Sequence, residues 1–215
     1  MSKLEDLSLA VEMGKAKLVP GLVQEALEEG NEAATVLNVG MIDAMDRVGA
    51  KFKSGEIFVP EMMVAARAMK KGVEILKPYL ASTGSAYIGK FVMGTVYGDL
   101  HDIGKNLVIM MVEAAGFEVR DLGIDVPVAD FVGAVENDPE VKIVGVSALL
   151  TTTMPAMRET VEALNQSPVR KRFKVMVGGA PVSQAFADEI GADAYTADAA
   201  EAAQRAKELL AELAG

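Results

Sequence analysis

The stretch Lys90–Lys105, KFVMGTVYGDLHDIGK, reads as a strand that gives way through a glycine-flanked loop to a helix. Residues 90–96 form a short apolar run of strand length, and a helical pattern covers 103–115. Between them, Asp99-Leu100-His101-Asp102-Ile103-Gly104 holds the only histidine of 215 residues, with a carboxylate two positions before it. The chain has no cysteine, so neither a His/Cys zinc site nor a paired-histidine metal clamp can be assembled. A lone imidazole can still serve as one axial ligand to a metal whose four equatorial nitrogens come from a macrocycle.

Downstream the pattern alternates. Strands are predicted near 117–122, 141–146, 173–177 and 193–195, with helices near 128–137, 154–166, 183–190 and 198–213. Five βα units predict an open, five-stranded parallel sheet of flavodoxin-like, Rossmann-like type. Such sheets bind ligands beyond the carboxyl ends of the strands, where the strand order reverses, here between the first and third strands. The loops expected there are Gly98–Gly104, Ser147–Pro155 and Gly178–Pro181, and all three carry unusual chemistry. The first holds the Asp-His pair. The second, Ser147-Ala148-Leu149-Leu150-Thr151-Thr152-Thr153, supplies a run of hydroxyls. The third, Gly178-Gly179-Ala180, lacks large side chains, so that something can lie close against the backbone.

Upstream, residues 1–78 show helical periodicity, clearest in Val36, Val39, Ile42, Met45 and Val48. Four helices fit, near 3–15, 20–29 with Pro20 at the first helical position, 31–48 with Asn31 near its cap, and 60–77 starting at Pro60. Pro78–Gly89, PYLASTGSAYIG, turns small and polar and reads as a linker, which predicts a helical domain 1–88 and an α/β domain 89–215. Met41, Met45, Met62, Met63 and Met69 read first as adaptable core; with Phe52 or Phe58, the other reading is a greasy lid over a planar cofactor. A net charge of −10, with no concentrated basic surface, argues against a nucleic-acid partner. No apolar run is long enough to span a bilayer, and Met1–Glu12 lacks the basic flank of a secretory leader, so a cytoplasmic protein is expected.

Each loop residue also has a simpler reading. His101 can be an exposed residue at a helix start, Asp99 and Asp102 can be helix caps, Thr152 or Thr153 can cap the helix near Pro155, and the glycine pair can be a turn. The sharper reading makes His101 an axial metal ligand. Its second ring N–H is then held by Asp99, and a hydroxyl of the Ser147–Thr153 loop bonds Asp99 in turn. A phosphate-binding loop at Gly98–Asn106 is excluded: the glycine spacing is one too long, Asn106 stands where Ser or Thr is needed, and two aspartates would repel phosphate.

The ordered motifs Asp99-x-His101-x-x-Gly104, Ser147-x-Leu149 and Gly178-Gly179 resemble those of cobalamin-binding proteins typified by cobalamin-dependent methionine synthase. In size and layout the chain is similar to the corrinoid proteins of methylotrophic methyltransferase systems, whose helical bundle holds a stretch like Gly55–Glu61, GEIFVPE. The resemblance implies a four-helix bundle followed by the α/β domain, and a base-off, His-on cobalamin with His101 as the lower cobalt ligand. It places the nucleotide tail beside Ser147, Leu149, Gly178 and Gly179, with Asp102, Ile103, Gly104, Thr151 and Ala180 at the same cofactor site. It also implies a relay from His101 through Asp99 to Thr153, the residues expected to act in the chemistry. The function implied is a methyl carrier, not catalytic alone, between a substrate:corrinoid methyltransferase and a second methyltransferase that serves coenzyme M or tetrahydrofolate, with a reductive activase as a further partner. The helical bundle would cover the methyl face and swing away through the linker. The alternatives are a cobalamin-dependent sensor or regulatory module, and the cobalamin subunit of a mutase.

Overall fold

Near-continuous apolar runs are what a parallel strand needs when both of its faces are buried, and the runs FVMGTV, VKIVGVS and KVMVG form the three central strands of the sheet. The structure, a computed structural model, describes residues 2–81 and 87–214. Within it the chain divides into two compact units, Met1–Ile88 with Glu113–Gly116, and Gly89–Val112 with Phe117–Gly215.

In the second unit the order is β1 (Lys90–Val96), α6 (Ile103–Ala114), β2 (Glu118–Val126), α7 (Val128–Glu136), β3 (Val141–Ser147), α8 (Met154–Gln166), β4 (Lys174–Gly178), α9 (Gln184–Ile190), β5 (Ala194–Tyr195) and α10 (Ala199–Ala214). The strands pair in the order β2-β1-β3-β4-β5, all parallel. The order therefore reverses between β1 and β3, as expected for five strands in flavodoxin-like order. Val92, Val96, Val144, Val146, Val175 and Val177 turn one face of the sheet toward Phe131 of α7 and Met157, Val161 and Leu164 of α8. Gly94 makes room there, because a Cβ on it would lie 2.7 Å from the Phe131 ring. Helix α10 packs against β3.

The first unit is helical: α1 (Lys3–Glu12), α2 (Val19–Glu28), α3 (Ala33–Leu37), a π-helical turn (Asn38–Ile42), α4 (Asp43–Lys53) and α5 (Val59–Ala81). Helices α3 and α4 run on through the π turn, so the expected bundle of four helices holds, with its third helix longer than the predicted 31–48. Met41, Met45, Met62 and Met69 are buried, as are Leu7, Val11, Val23 and Leu76 of the same unit. The core reading of these methionines is the right one; Met63 is half-buried and Phe58 exposed. Lys51 and Arg47 of α4 both reach Glu12 at the end of α1, and they hold its carboxyl below the usual carboxylate range.

Asn31 lies beside the N-cap of the third helix, Glu32, as expected, and its amide donates to the Ala26 carbonyl at 2.8 Å, which closes the end of α2. Two local expectations are corrected. Thr153 occupies the N-cap position of α8 but makes no capping bond. Helix α5 continues through Pro78 for one more turn, where the linker was expected to begin. Leu76 and Leu80, both buried, anchor that turn by packing, which outweighs the hydrogen bond that proline removes. The rest of the expected linker lies partly outside the described residues. Among the described residues no helix is long and apolar enough to cross a membrane.

Candidate functional site

Strand β1 ends at Val96, and the chain turns at once: the Asp99 N–H donates to the Val96 carbonyl at 3.1 Å across Gly98, whose φ of +79° suits glycine. The turn drives the Asp99 side chain inward until none of its surface is exposed. A buried carboxylate must have its charge answered by donors, and Asp99 has donors on both oxygens. Oδ1 accepts the His101 main-chain N–H at 3.1 Å and lies 2.7 Å from His101 Nδ1. Oδ2 accepts the Leu149 N–H at 2.7 Å, the Leu150 N–H at 3.3 Å and the Thr153 hydroxyl at 2.8 Å. Burial alone would push the Asp99 carboxyl up; the bonds from Leu149, the His101 ring, Thr153 and the His101 N–H overcome it and hold the group well below the usual carboxylate range.

Asp99 is therefore ionised at neutral pH and only accepts, so the His101 ring, in its neutral form, carries its proton on Nδ1. The Nε2 lone pair is left outward on a side chain 48% exposed, with no hydrogen-bond partner among the described residues. The exposed large apolar side chains of this unit all lie at the same edge of the sheet: Tyr97, Leu100 and Ile103 around His101, Ile124 at the end of β2, and Leu149 and Leu150 after β3. Gly104 faces open space, since a Cβ on it would meet nothing within 4 Å. Among the described residues no three His, Cys, Asp or Glu side chains converge to hold a bare metal ion. One outward nitrogen in an apolar rim, with free space beside it, fits a flat apolar macrocycle whose metal needs one more ligand.

Comparison with known proteins points the same way. A family model described as a B12 binding domain matches residues 89–206, and a second of the same description matches residues 3–77. Dimethylamine corrinoid protein 2 of Methanosarcina acetivorans is 46% identical over 210 residues, which cover 96% of this chain and 95% of that one. The chain belongs to the B12-binding corrinoid proteins. The solved cobalamin-binding protein of Desulfitobacterium hafniense superposes with a TM-score of 0.79 at 34% identity, covering 96% of this chain and 98% of that one. The methanol:cobalamin methyltransferase complex of Methanosarcina barkeri gives 0.83 at 30% identity, covering 97% of this chain and 80% of that one.

In this corrinoid protein the structure gathers Asp99, His101, Leu149 and Thr153 into one hydrogen-bonded cluster. Leu149 enters it through its main chain, and the Thr153 hydroxyl, which also lies 2.9 Å from the Leu150 carbonyl, has turned away from capping. Ser147 is level with Thr95 on β1 and Gly178 on β4, so the three form a row along the sheet edge beside the cluster. Gly178 accepts the Ala148 N–H at 3.2 Å. Gly179 has a φ of +132°, and a Cβ there would run into the Ala148 carbonyl oxygen, so the chain's own packing demands this glycine. Asp102, Ile103, Gly104, Thr151 and Ala180 are exposed and lie outside the Asp99 cluster. Asp102 precedes α6, where its carboxylate accepts the Asn106 amide at 3.2 Å and its carbonyl the Asn106 N–H at 2.7 Å.

Two residues escaped the sequence reading. Thr95 is fully buried in β1 and donates its hydroxyl to the His101 carbonyl at 2.9 Å. A hydroxyl inside the apolar run FVMGTV was the available signal, because a buried donor needs an acceptor. Asp125 accepts the Gly98 N–H at 2.7 Å and donates its own N–H to the Asp99 carbonyl at 3.0 Å.

Proposed function

We propose that this protein binds its corrinoid base-off and His-on, with His101 Nε2 as the lower cobalt ligand, and carries a methyl group between two methyltransferases. The observation that carries the reading is the His101 ring itself: half-exposed, fixed at Nδ1 by a fully buried carboxylate, and presenting a free Nε2 in an apolar rim. The name of the dimethylamine relative supports a methylamine as the methyl source, and the methanol:cobalamin complex supports a methyltransferase as docking partner. A second methyltransferase, passing the group to coenzyme M or tetrahydrofolate, and a reductive activase complete the proposed set of partners. Residues 1–88 are read as the cap and 89–215 as the corrinoid-binding domain.

When bound, the cobalt supplies the centre that accepts and gives up the methyl group; the protein supplies position and ligation. Asp99 fixes the tautomer and the plane of the His101 ring, a role whose loss in metal sites costs roughly 10–100-fold. Ser147, Gly178 and Gly179 are read as the edge of the nucleotide-tail cleft, with Asp102, Ile103, Gly104, Thr151 and Ala180 toward the macrocycle. Both Asp99 oxygens are already occupied by donors. Thr153 in this reading holds Asp99 rather than accepting a proton from it.

The test is transfer of an isotopically labelled methyl group to the corrinoid-loaded, reduced protein from dimethylamine, monomethylamine or methanol, each supplied with a matching methyltransferase. Label is expected on the protein with one donor and enzyme pair and on none without the enzyme. A tightly held corrinoid that takes label from no pair would overturn the carrier reading and leave a binding module.

A further inference from the structure

We propose that Asp125 is a positioning residue for His101, gripping the backbone of the β1–α6 loop from the end of the neighbouring strand; the inference rests on the corrinoid-ligand reading of His101. Asp125 is the one non-glycine residue with a positive φ, +52°, among the described residues. That conformation is strained for an L residue and is tolerated best by Asp and Asn. What it achieves is a two-point clamp. The Asp125 carboxylate takes the Gly98 N–H at 2.7 Å while the Asp125 N–H reaches the Asp99 carbonyl at 3.0 Å.

The strand is built to deliver this residue. Pairing of β1 with β2 slips twice, Met93 facing Asp121, Gly94 facing Gly123 and Val96 facing Val126, so β2 carries extra residues just before Val126. Bulges of this kind re-aim side chains beside functional sites. The same stretch of β2 also holds the far side of the loop. Asp121 pairs with Lys105 Nζ at 2.8 and 2.7 Å, and Lys105, in the first turn of α6, is only 3% exposed. His101 thus hangs between two anchors, Gly98–Asp99 held by Asp125 and Lys105 held by Asp121. The ring orientation is set by Asp99, whereas the place of the Asp99–His101 pair along the sheet edge is set by these backbone grips.

Two variants separate positioning from folding. Asp125→Gly removes the carboxylate while keeping the N–H donor and relieving the φ strain; Asp125→Asn keeps an acceptor oxygen and tolerates the same φ. In the full-length, corrinoid-free protein, the Gly98 amide is expected to exchange about tenfold faster in Asp125→Gly, with broadened ring signals from the single histidine, and to behave as wild type in Asp125→Asn. After loading with hydroxocobalamin, Asp125→Gly is expected to bind about tenfold more weakly with a reduced His-ligated absorption, restored in Asp125→Asn. The melting temperature of the corrinoid-free Asp125→Gly protein is expected not to fall. Wild-type Gly98 exchange and His-ligated fraction in Asp125→Gly would overturn the proposal, and so would a matching loss of global stability, which would make the carboxylate a fold-holding group. If wild-type protein retains no corrinoid, the ligand reading of His101 fails, while Gly98 exchange and the His101 signals still decide whether the clamp exists.

Discussion

Replacing Asp99 by asparagine keeps the size of a fully buried side chain and exchanges one acceptor oxygen for a pair of donors. Turned toward Leu149, Leu150 and Thr153, the new amide would face two main-chain N–H groups and a hydroxyl. Turned toward His101 it would face one N–H and the ring nitrogen, and the ring can answer by moving its proton from Nδ1 to Nε2. The second arrangement is cheaper, and it removes the Nε2 lone pair that the ligand role needs. Its cost combines weakened charge-assisted bonds with one opposed, buried N–H, about 3 kcal/mol in all. For a domain of this size that corresponds to a fall in melting temperature of roughly 10 °C. The assay is thermal unfolding of the corrinoid-free variant by circular dichroism, with the ¹⁵N shifts of the single histidine reporting the tautomer. A melting temperature within about 2 °C of wild type and a ring still protonated at Nδ1 would refute the reasoning.

Other outcomes follow from the same geometry. Thr153→Val keeps the shape and removes one of the donors on Asp99 Oδ2; about 1–2 kcal/mol of stability should be lost in urea denaturation, and most of it regained in Thr153→Ser. Because the Asp99 carboxyl is held below its ordinary value of 3.8, its contribution to stability is complete above that value and lost as pH falls below it. Denaturant titrations on the acid side of about pH 4 should therefore show a steep decline in wild type and a shallower one in Asp99→Asn. Gly179→Ala should cost about 2 kcal/mol or more, from its φ and its contact with the Ala148 carbonyl, seen as a lowered melting temperature without any corrinoid present.

The α/β half was legible because its strands are apolar on both faces and its helices are periodic, so the period of the pattern alone separates βα units. The count of those units gave the five-stranded parallel sheet, and the reversal between β1 and β3 followed only once flavodoxin-like order was taken for it. The Asp99–His101 pair and a hydroxyl from the Ser147–Thr153 loop were legible because a ligating ring needs an acceptor for its second N–H and these loops meet at the reversing edge, whereas Thr153 as that hydroxyl came from the resemblance to corrinoid proteins and the burial of Asp99 only from the structure. What stayed hidden depends on tertiary packing. Pro78 marks a helix end by local rules, yet buried Leu76 and Leu80 carry α5 past it. The π turn at Asn38–Ile42 has no local signal beyond Gly40, where a Cβ would lie 2.9 Å from Leu7. Asp125 was unreadable because its positive φ arises from two slips in strand pairing, and register belongs to the pair of strands.

The most direct measurement is the visible absorption spectrum, with cobalt content, of the protein reconstituted with hydroxocobalamin, comparing wild type with His101→Ala. His101 is half-exposed, and in His101→Ala the buried Asp99 keeps its donors from Leu149, Leu150, Thr153 and the main-chain N–H of residue 101, so the fold is expected to hold at a small cost in stability. The expected result is a stoichiometric corrinoid with a histidine-ligated spectrum in wild type, and loss of that signature in His101→Ala. Equal spectra in the two proteins would contradict His101 as the lower ligand, and cobalt retained by neither would remove the corrinoid site from this edge of the sheet.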